Sequence, residues 1–308
     1  VVCLLETATD EGISTSGKED RTDASTHHEL ERTMLLQTMN DWWWRRAMRL
    51  LCCCQLFVAS PRCEAQNLVP NPSFEVVDGC PQYPALLGFQ PGAIPQHWFS
   101  ASDTPDYFNA CVDTIAGVPS NVFGFQEALD GQAYVGMATF LTDDLREMIC
   151  AQMLTPLTIG ETYYVSMYMN AAYGGNQPID VGSNNIGVLF TMEPYEWVYP
   201  MPQFGLRNFA HVYSADVITD TLGWTLVSGS FVADSAYRYL VIGNHFENAL
   251  TDTAFIGPSP WGIYYGWAYS LVDQVCVSPN PQGCPLANGI DDTAERLIGV
   301  FPNPARHD

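Results

Sequence analysis

The sequence predicts an all-β domain, an antiparallel β-sandwich of jelly-roll type, and three observations carry that reading. Tyr163 to Ala171 alternates Tyr163, Val165, Met167 and Met169 with Tyr164, Ser166, Tyr168 and Asn170, a period of two that a half-buried strand produces and a helix does not. Other short runs of the same kind are set apart by clusters of Gly, Pro, Asn and Asp. About 215 residues lie between an export-like segment and a proline-rich tail, enough for one sizeable core; many short strands with long irregular connections then favour a sandwich or jelly roll.

In chain order, the expected strands are Ala133 to Thr139, Tyr163 to Ala171, Asn185 to Thr191, Trp224 to Val232, Tyr237 to Gly243 and Ala268 to Val277. Asp143 to Met153 reads as the one helical segment, its acids placed where they would complement a helix N-terminus. Ser278-Pro279-Asn280-Pro281-Gln282-Gly283-Cys284-Pro285 cannot continue a central ladder, because proline offers no amide donor. The domain is therefore expected over 66–278, ending near Val277. A linker over 279–296 follows, then the apolar run Leu297-Ile298-Gly299-Val300-Phe301 in a last segment, 297–308. No repeat at solenoid or propeller period is present.

The segment 39–65 has the layout of a cleaved signal peptide. Arg45, Arg46 and Arg49 form a basic region, Leu50 to Ala59 an apolar one, and Cys63-Glu64-Ala65 places small residues where a signal peptidase reads them. The mature chain is expected to begin at Gln66. A membrane anchor is disfavoured because the apolar stretch is about half of the ~20 residues a span requires. Ser60-Pro61-Arg62 before Cys63 is unlike the approach to a lipidated cysteine. Residues 1–38 are largely polar over Glu6 to Arg32 and receive no function.

From Gln66 onward there is no lysine, and five arginines against 24 acidic residues leave a formal charge of −19. Such a surface repels phosphate backbones and anionic lipid, which excludes nucleic acid and membrane surfaces as natural partners and suits an extracellular protein. Five cysteines remain after cleavage: Cys80, Cys111, Cys150, Cys276 and Cys284. In an oxidising compartment Cys80–Cys111 and Cys276–Cys284 are the expected pairs, since they bracket the first loop-rich region and the domain's end. No CxxC or HxxxH spacing supports zinc.

Two stretches resemble known families. Val300-Phe301-Pro302-Asn303-Pro304-Ala305 resembles the opening of the type A C-terminal sorting domain read by the type IX secretion machinery of Bacteroidetes, which implies export to the cell surface or medium. Asn67-Leu68-Val69-Pro70-Asn71-Pro72-Ser73-Phe74-Glu75, Asp106-Tyr107-Phe108-Asn109-Ala110-Cys111, Gly131-Gln132-Ala133-Tyr134-Val135-Gly136 and Tyr269-Ser270-Leu271-Val272-Asp273-Gln274-Val275 together resemble a Bacteroidetes family of secreted domains related to galactose-binding-like, carbohydrate-binding jelly rolls. The resemblance implies a structural Ca²⁺ where the two chain ends meet, with Glu75 and Asp273 at the matching positions and hard oxygen ligands of the kind Ca²⁺ takes. Gln274 departs from the acid usual there. The competing reading gives Glu75 and Asp273 ordinary hydrogen bonds at strand ends.

A sugar face stacks on indole or phenol rings while polar side chains take its hydroxyls. The candidate platforms are Trp98, Tyr195, Trp197, Trp261, Tyr265 and Trp267, in or beside loops, whereas Trp224 opens a strand and reads as core. No HExxH, GxSxG, phosphate loop or dinucleotide fingerprint is present, so no catalytic residue is assigned. His97, His211 and His245 read as hydrogen-bonded structural residues, and the acidic pair Glu193 and Glu196 as coincidence in an acid-rich chain. The leading function is a secreted, non-catalytic binding module for a glycan. A structural or adhesive surface protein is the alternative, and a hydrolase stands third.

Overall fold

The computed structural model describes residues 67–83, 94–195 and 206–286. The signal peptide, the leader, Trp197, Glu196, most of the linker and the sorting-domain resemblance lie outside the described residues.

Among the described residues fourteen strands follow one another: β1 (Trp98–Ser102), β2 (Asp106–Asn109), β3 (Ser120–Asn121), β4 (Gly124–Phe125), β5 (Ala133–Phe140), β6 (Met148–Gln152) and β7 (Thr162–Ala171). Then come β8 (Val181–Ser183), β9 (Ile186–Thr191), β10 (Val212–Tyr213), β11 (Thr225–Val232), β12 (Tyr239–Asn244), β13 (Thr253–Phe255) and β14 (Ala268–Ser278). Two five-stranded sheets run β1-β6-β12-β9-β10 and β11-β7-β14-β5-β2, and every pairing is antiparallel. From β5 onward the long strands alternate between the sheets, β5, β7, β11 and β14 in one and β6, β9 and β12 in the other. The protein is an antiparallel β-sandwich with jelly-roll alternation.

Period-two patterning decides what fills it. Val135 and Met137 of β5, Val165, Met167 and Met169 of β7, and Val272, Val275 and Val277 of β14 meet Ile149, Val188, Phe190, Leu240 and Ile242 of the other sheet in one buried core. Each such side chain contributes about 1.5–3 kcal/mol through burial. The expected strands all appear, within two residues at their ends.

Asp143 to Met153 is not helical, contrary to expectation. Met148–Gln152 is β6, paired with β1 on one side and β12 on the other. Ile149 and Ala151 enter the main core while Met148 and Cys150 pack on the outer face with Leu189 and Val241. Both faces being covered, the run has no alternation to read, and cross-strand pairing outweighs local preference.

The disulfides are Cys80–Cys111 and Cys276–Cys284, with Cα–Cα distances of 5.8 and 5.6 Å. Cys150 is buried in β6. The second disulfide ties the chain past Val277 back onto β14, so the ordered turn reaches Cys284, itself buried.

The outer face of β2, β5 and β14 carries a second apolar cluster of Phe108, Tyr134, Ala138, Tyr269 and Leu271, closed over by Val118, Phe123 and Ile179 from the connecting loops. Here Tyr269 of β14 must cross β5 to reach β2. It passes over Gly136, where an added Cβ would lie 2.5 Å from the ring. Gly136→Ala should therefore destabilise the fold by about 1–3 kcal/mol, as overpacking does, measured by urea denaturation; unchanged stability would mean the ring has another path.

Candidate functional site

Above Gly136 the Tyr269 hydroxyl donates to Asp106 Oδ2 at 2.5 Å. Phe123 stacks on the same ring, centroids 3.6 Å apart and planes 12° from parallel. These groups form the floor of an open groove of about 400 Å³, whose walls include Glu147, Ile179 and Trp267. Glu147 precedes β6 and accepts the Ala138 amide at 2.7 Å and the Thr104 hydroxyl at 3.2 Å. Asp106 and Glu147 thus place two carboxyls in one groove.

Both are pushed toward the protonated form. Desolvation and then the charge of Glu147 raise Asp106 well above the ordinary carboxylate range, against the lowering effect of the Tyr269 hydrogen bond. Desolvation raises Glu147 to about 8, against its hydrogen bond from Ala138, with Asp103 adding a like charge. Tyr269 is raised as well, by burial and by the two carboxyls. Like-charged acids sharing a poorly hydrated site cannot both ionise freely.

An aromatic ladder leads into the groove. Trp261, 56 % exposed, lies 5.6 Å from Tyr265, and Tyr265 lies 5.4 Å from Trp267 on the groove wall. The loop that carries them is held by Asp180, a fully buried carboxylate that accepts the amides of Tyr265 at 2.5 Å and Trp267 at 3.0 Å. Tyr173 adds a hydrogen bond to the Pro258 carbonyl at 3.0 Å. The rings are therefore presented by a fastened loop.

Three of the six aromatic candidates come together here, and the rest do not. Trp98 is a core residue, a correction to its expected place: it is 3 % exposed, packs on Phe74 at 4.9 Å, and its Nε1 donates to the Asn71 carbonyl at 3.0 Å. Tyr195 lies on the outer face of the opposite sheet, its hydroxyl accepting from Arg207 at 2.8 Å. Trp197 is outside the described residues. Trp224 packs beside Tyr134 at 5.9 Å and donates to the Glu127 carbonyl, half-buried under the groove's loops. Asp106, Glu147, Phe123 and Asp180 were not identified from sequence, although Asp106 opens one of the quoted motifs.

Among the described residues no histidine joins the groove. His211 Nδ1 accepts the Phe190 amide among the rings of Phe190, Phe231 and Tyr237, and burial lowers its pKa to about 4. His245 is fully buried and likewise lowered by desolvation to about 4.

Residues 67–75 meet β14, and the atoms around Glu75 and Asp273 are amides. Glu75 Oε1 accepts the amides of Gln132 and Ala133, both at 2.9 Å, where an added Cβ on Gly131 would strike the carboxyl. Asp273 Oδ2 accepts those of Leu129 and Asp130 at 2.9 and 3.1 Å, and its Oδ1 that of Gln274 at 2.7 Å. Burial raises Asp273 to about 7 in spite of these three amides. Ca²⁺ needs six to eight oxygens, whereas N–H groups surround these carboxylates. Among the described residues no three His, Cys, Asp or Glu side chains gather to hold a metal. The residues do not fit a bound cation; they pin the loop before β5.

No family model and no curated protein matches the chain. Solved structures align weakly. An arabinose-bound GH51 α-L-arabinofuranosidase shows 12% identity and a TM-score of 0.37 over 72% of this chain and 28% of its own, so this chain spans about a quarter of that enzyme. A structure described as "CBM4 structure and function" shows 16% identity and a TM-score of 0.31, covering 69% and 99%. The K1 cleaved adhesin domain of Lys-gingipain from Porphyromonas gingivalis W83 shows 12% identity and a TM-score of 0.33, covering 68% and 96%. At these values the sandwich is established by its own sheets.

Two outcomes are expected. Melting curves in calcium and in chelator should coincide, while Asp273→Ala, which orphans buried amides, should cost about 1–3 kcal/mol in both; a drop on chelation would restore the cation. The second concerns pH. Glu147 and Asp106 keep their protons when folded at a pH where the unfolded chain releases them. Their burial is therefore tolerated below the ordinary carboxylate range and destabilises progressively as pH rises toward Glu147's value of about 8. Glu147→Gln should melt above the wild type at pH 8.5 and at or below it at pH 5; parallel profiles would deny the pair this part.

Proposed function

We propose that the protein is a secreted, non-catalytic glycan-binding module. The observation that carries this is the ladder Trp261–Tyr265–Trp267 opening onto a groove with carboxyl groups in its wall. Rings fastened at the mouth of a polar groove suit the apolar face and hydroxyl rim of a sugar. Secretion rests on the basic, apolar and small-residue succession before Gln66, and two disulfides agree with an oxidising compartment. No helix among the described residues is long and apolar enough to cross a membrane. Export by the type IX route rests on the Pro302-Asn303-Pro304 resemblance.

The carboxyl pair favours one second reading, slow glycoside hydrolysis with Glu147 as general acid, since that chemistry uses two carboxyls flanking the scissile bond.

Affinity electrophoresis against a panel of polysaccharides, followed by calorimetry, tests both. Binding to at least one glycan is expected, weakened about tenfold or more by Trp267→Ala, as for a central aromatic anchor, and less by Trp261→Ala. Absence of binding across the panel, or insensitivity to Trp267→Ala, would move the site elsewhere. Release of reducing ends that Glu147→Gln abolishes would establish the hydrolase.

A further inference from the structure

The groove's charge is one-sided in a way its aromatic lining does not require. Asp106 on β2 and Glu147 before β6 supply its charged lining groups, and Asp103 in the β1–β2 turn adds a third negative charge against Glu147. Tyr269 from β14 faces the pair as a phenol, with Tyr134 of β5 acting on Tyr269. Among the described residues no lysine, arginine or histidine lines the groove. Arg146, next in sequence to Glu147, turns elsewhere: its guanidinium lies 5.2 Å from the Phe140 ring centroid and donates to the Phe246 carbonyl and Asn248 Oδ1.

Resting on the glycan-binding reading, we propose that the groove selects amino sugars, seating a free ammonium group at Asp106 and Glu147 while a sugar face packs on Trp267. An ammonium offers three donors, a positive charge and no acceptor, the complement of a wall that holds two carboxyls and lacks a cation. Desolvation and the charge of Asp103 raise Glu147 to about 8, and desolvation and the charge of Glu147 hold Asp106 well above the ordinary carboxylate range. The ammonium takes the place of the carboxyl proton, so on binding a carboxyl O–H bond breaks, its electron pair stays on the carboxylate and the proton goes to the buffer. A neutral sugar gains the stacking and the hydroxyl contacts alone. A sugar bearing a carboxylate adds a negative charge beside two acids that already resist ionisation, in a chain that is strongly acidic.

The test is calorimetry on the secreted protein with three β-1,4 oligomers of one length: glucose, its 2-amino analogue and its 6-carboxylate analogue. The amino oligomer should bind about tenfold or more tighter than the glucose oligomer, the gain expected of charge-assisted hydrogen bonds, and the carboxylate oligomer should bind weakest. Affinity for the amino oligomer should rise from pH 5 to pH 7, with an apparent enthalpy that changes with the buffer's heat of ionisation. Glu147→Gln should shrink the amino-to-glucose affinity ratio toward one. Glucose binding equal to amino binding, or a ratio unmoved in Glu147→Gln, overturns the selectivity and leaves glycan binding standing. No heat with the amino oligomer overturns it whatever the wider panel of glycans shows.

Discussion

The space above Gly136 is the constraint on which the outer face of the β11-β7-β14-β5-β2 sheet depends. β14 lies between β7 and β5, so a side chain on it meets β2 only by crossing β5. Asp106 pairs with Gly136 in the β2–β5 register, and Leu271 pairs with Gly136 in the β14–β5 register. Tyr269, two residues before Leu271 and on the same face, can therefore lie over the bare Gly136 backbone and reach Asp106. Once laid flat, its upper surface receives Phe123, which brings down the loop that closes the cluster of Phe108, Tyr134 and Leu271. Floor, wall and roof of the groove thus follow from one missing Cβ.

Residues 67–75 and β14 hold the strand that carries this glycine. Asn67 reads β14 from the N-terminal side, its side chain donating to the Val275 carbonyl and accepting the Val277 amide, while the Leu68 amide donates to the Val277 carbonyl. Asn71 holds the following turn with bonds to both backbone groups of Val76 and to the Gln96 carbonyl. Glu75 and Asp273 then take four amides of the loop that enters β5. The Asn67 to Glu75 motif and the closing strand are accordingly a scaffold for β5, and the closing strand also lends Tyr269 to the groove floor.

The sheets were legible because their alternation is local: each long strand writes its own buried and open faces along the chain. β6 was not, since a strand covered on both faces reads as an unpatterned apolar run beside acids that favour a helix start. The same distinction separates the site residues. Trp261, Tyr265 and Trp267 share one loop, so their density in sequence became proximity in space. Trp98 has the same surroundings of loop-forming residues, yet it opens β1 with its ring directed inward, and composition cannot say which way a strand's first residue points. Asp106 and Glu147 meet only through the β2–β5 pairing and the Ala138 amide that holds Glu147. Nothing near either residue announces the other.

The molecule itself supplies the contrast that makes the groove's acids more than surface residues. Where carboxylates serve the fold they are wrapped in amides: three on Asp273, two on Glu75 and two on Asp180. Such bonds favour the charged form, although at Asp273 burial still outweighs them. Asp106 has the Tyr269 hydroxyl, and Glu147 the Ala138 amide together with backbone and side chain of Thr104; what sets the pair apart is that they share one groove and that the charge of Glu147 falls on Asp106. A fold selected for stability alone would replace such a pair with neutral side chains, because two carboxyls held side by side lower stability across the neutral range. Retained strain of this kind concentrates where a protein meets its ligand. Here it lies at the end of an aromatic ladder, which is where a cationic or hydrogen-bonding group on a bound sugar would relieve it.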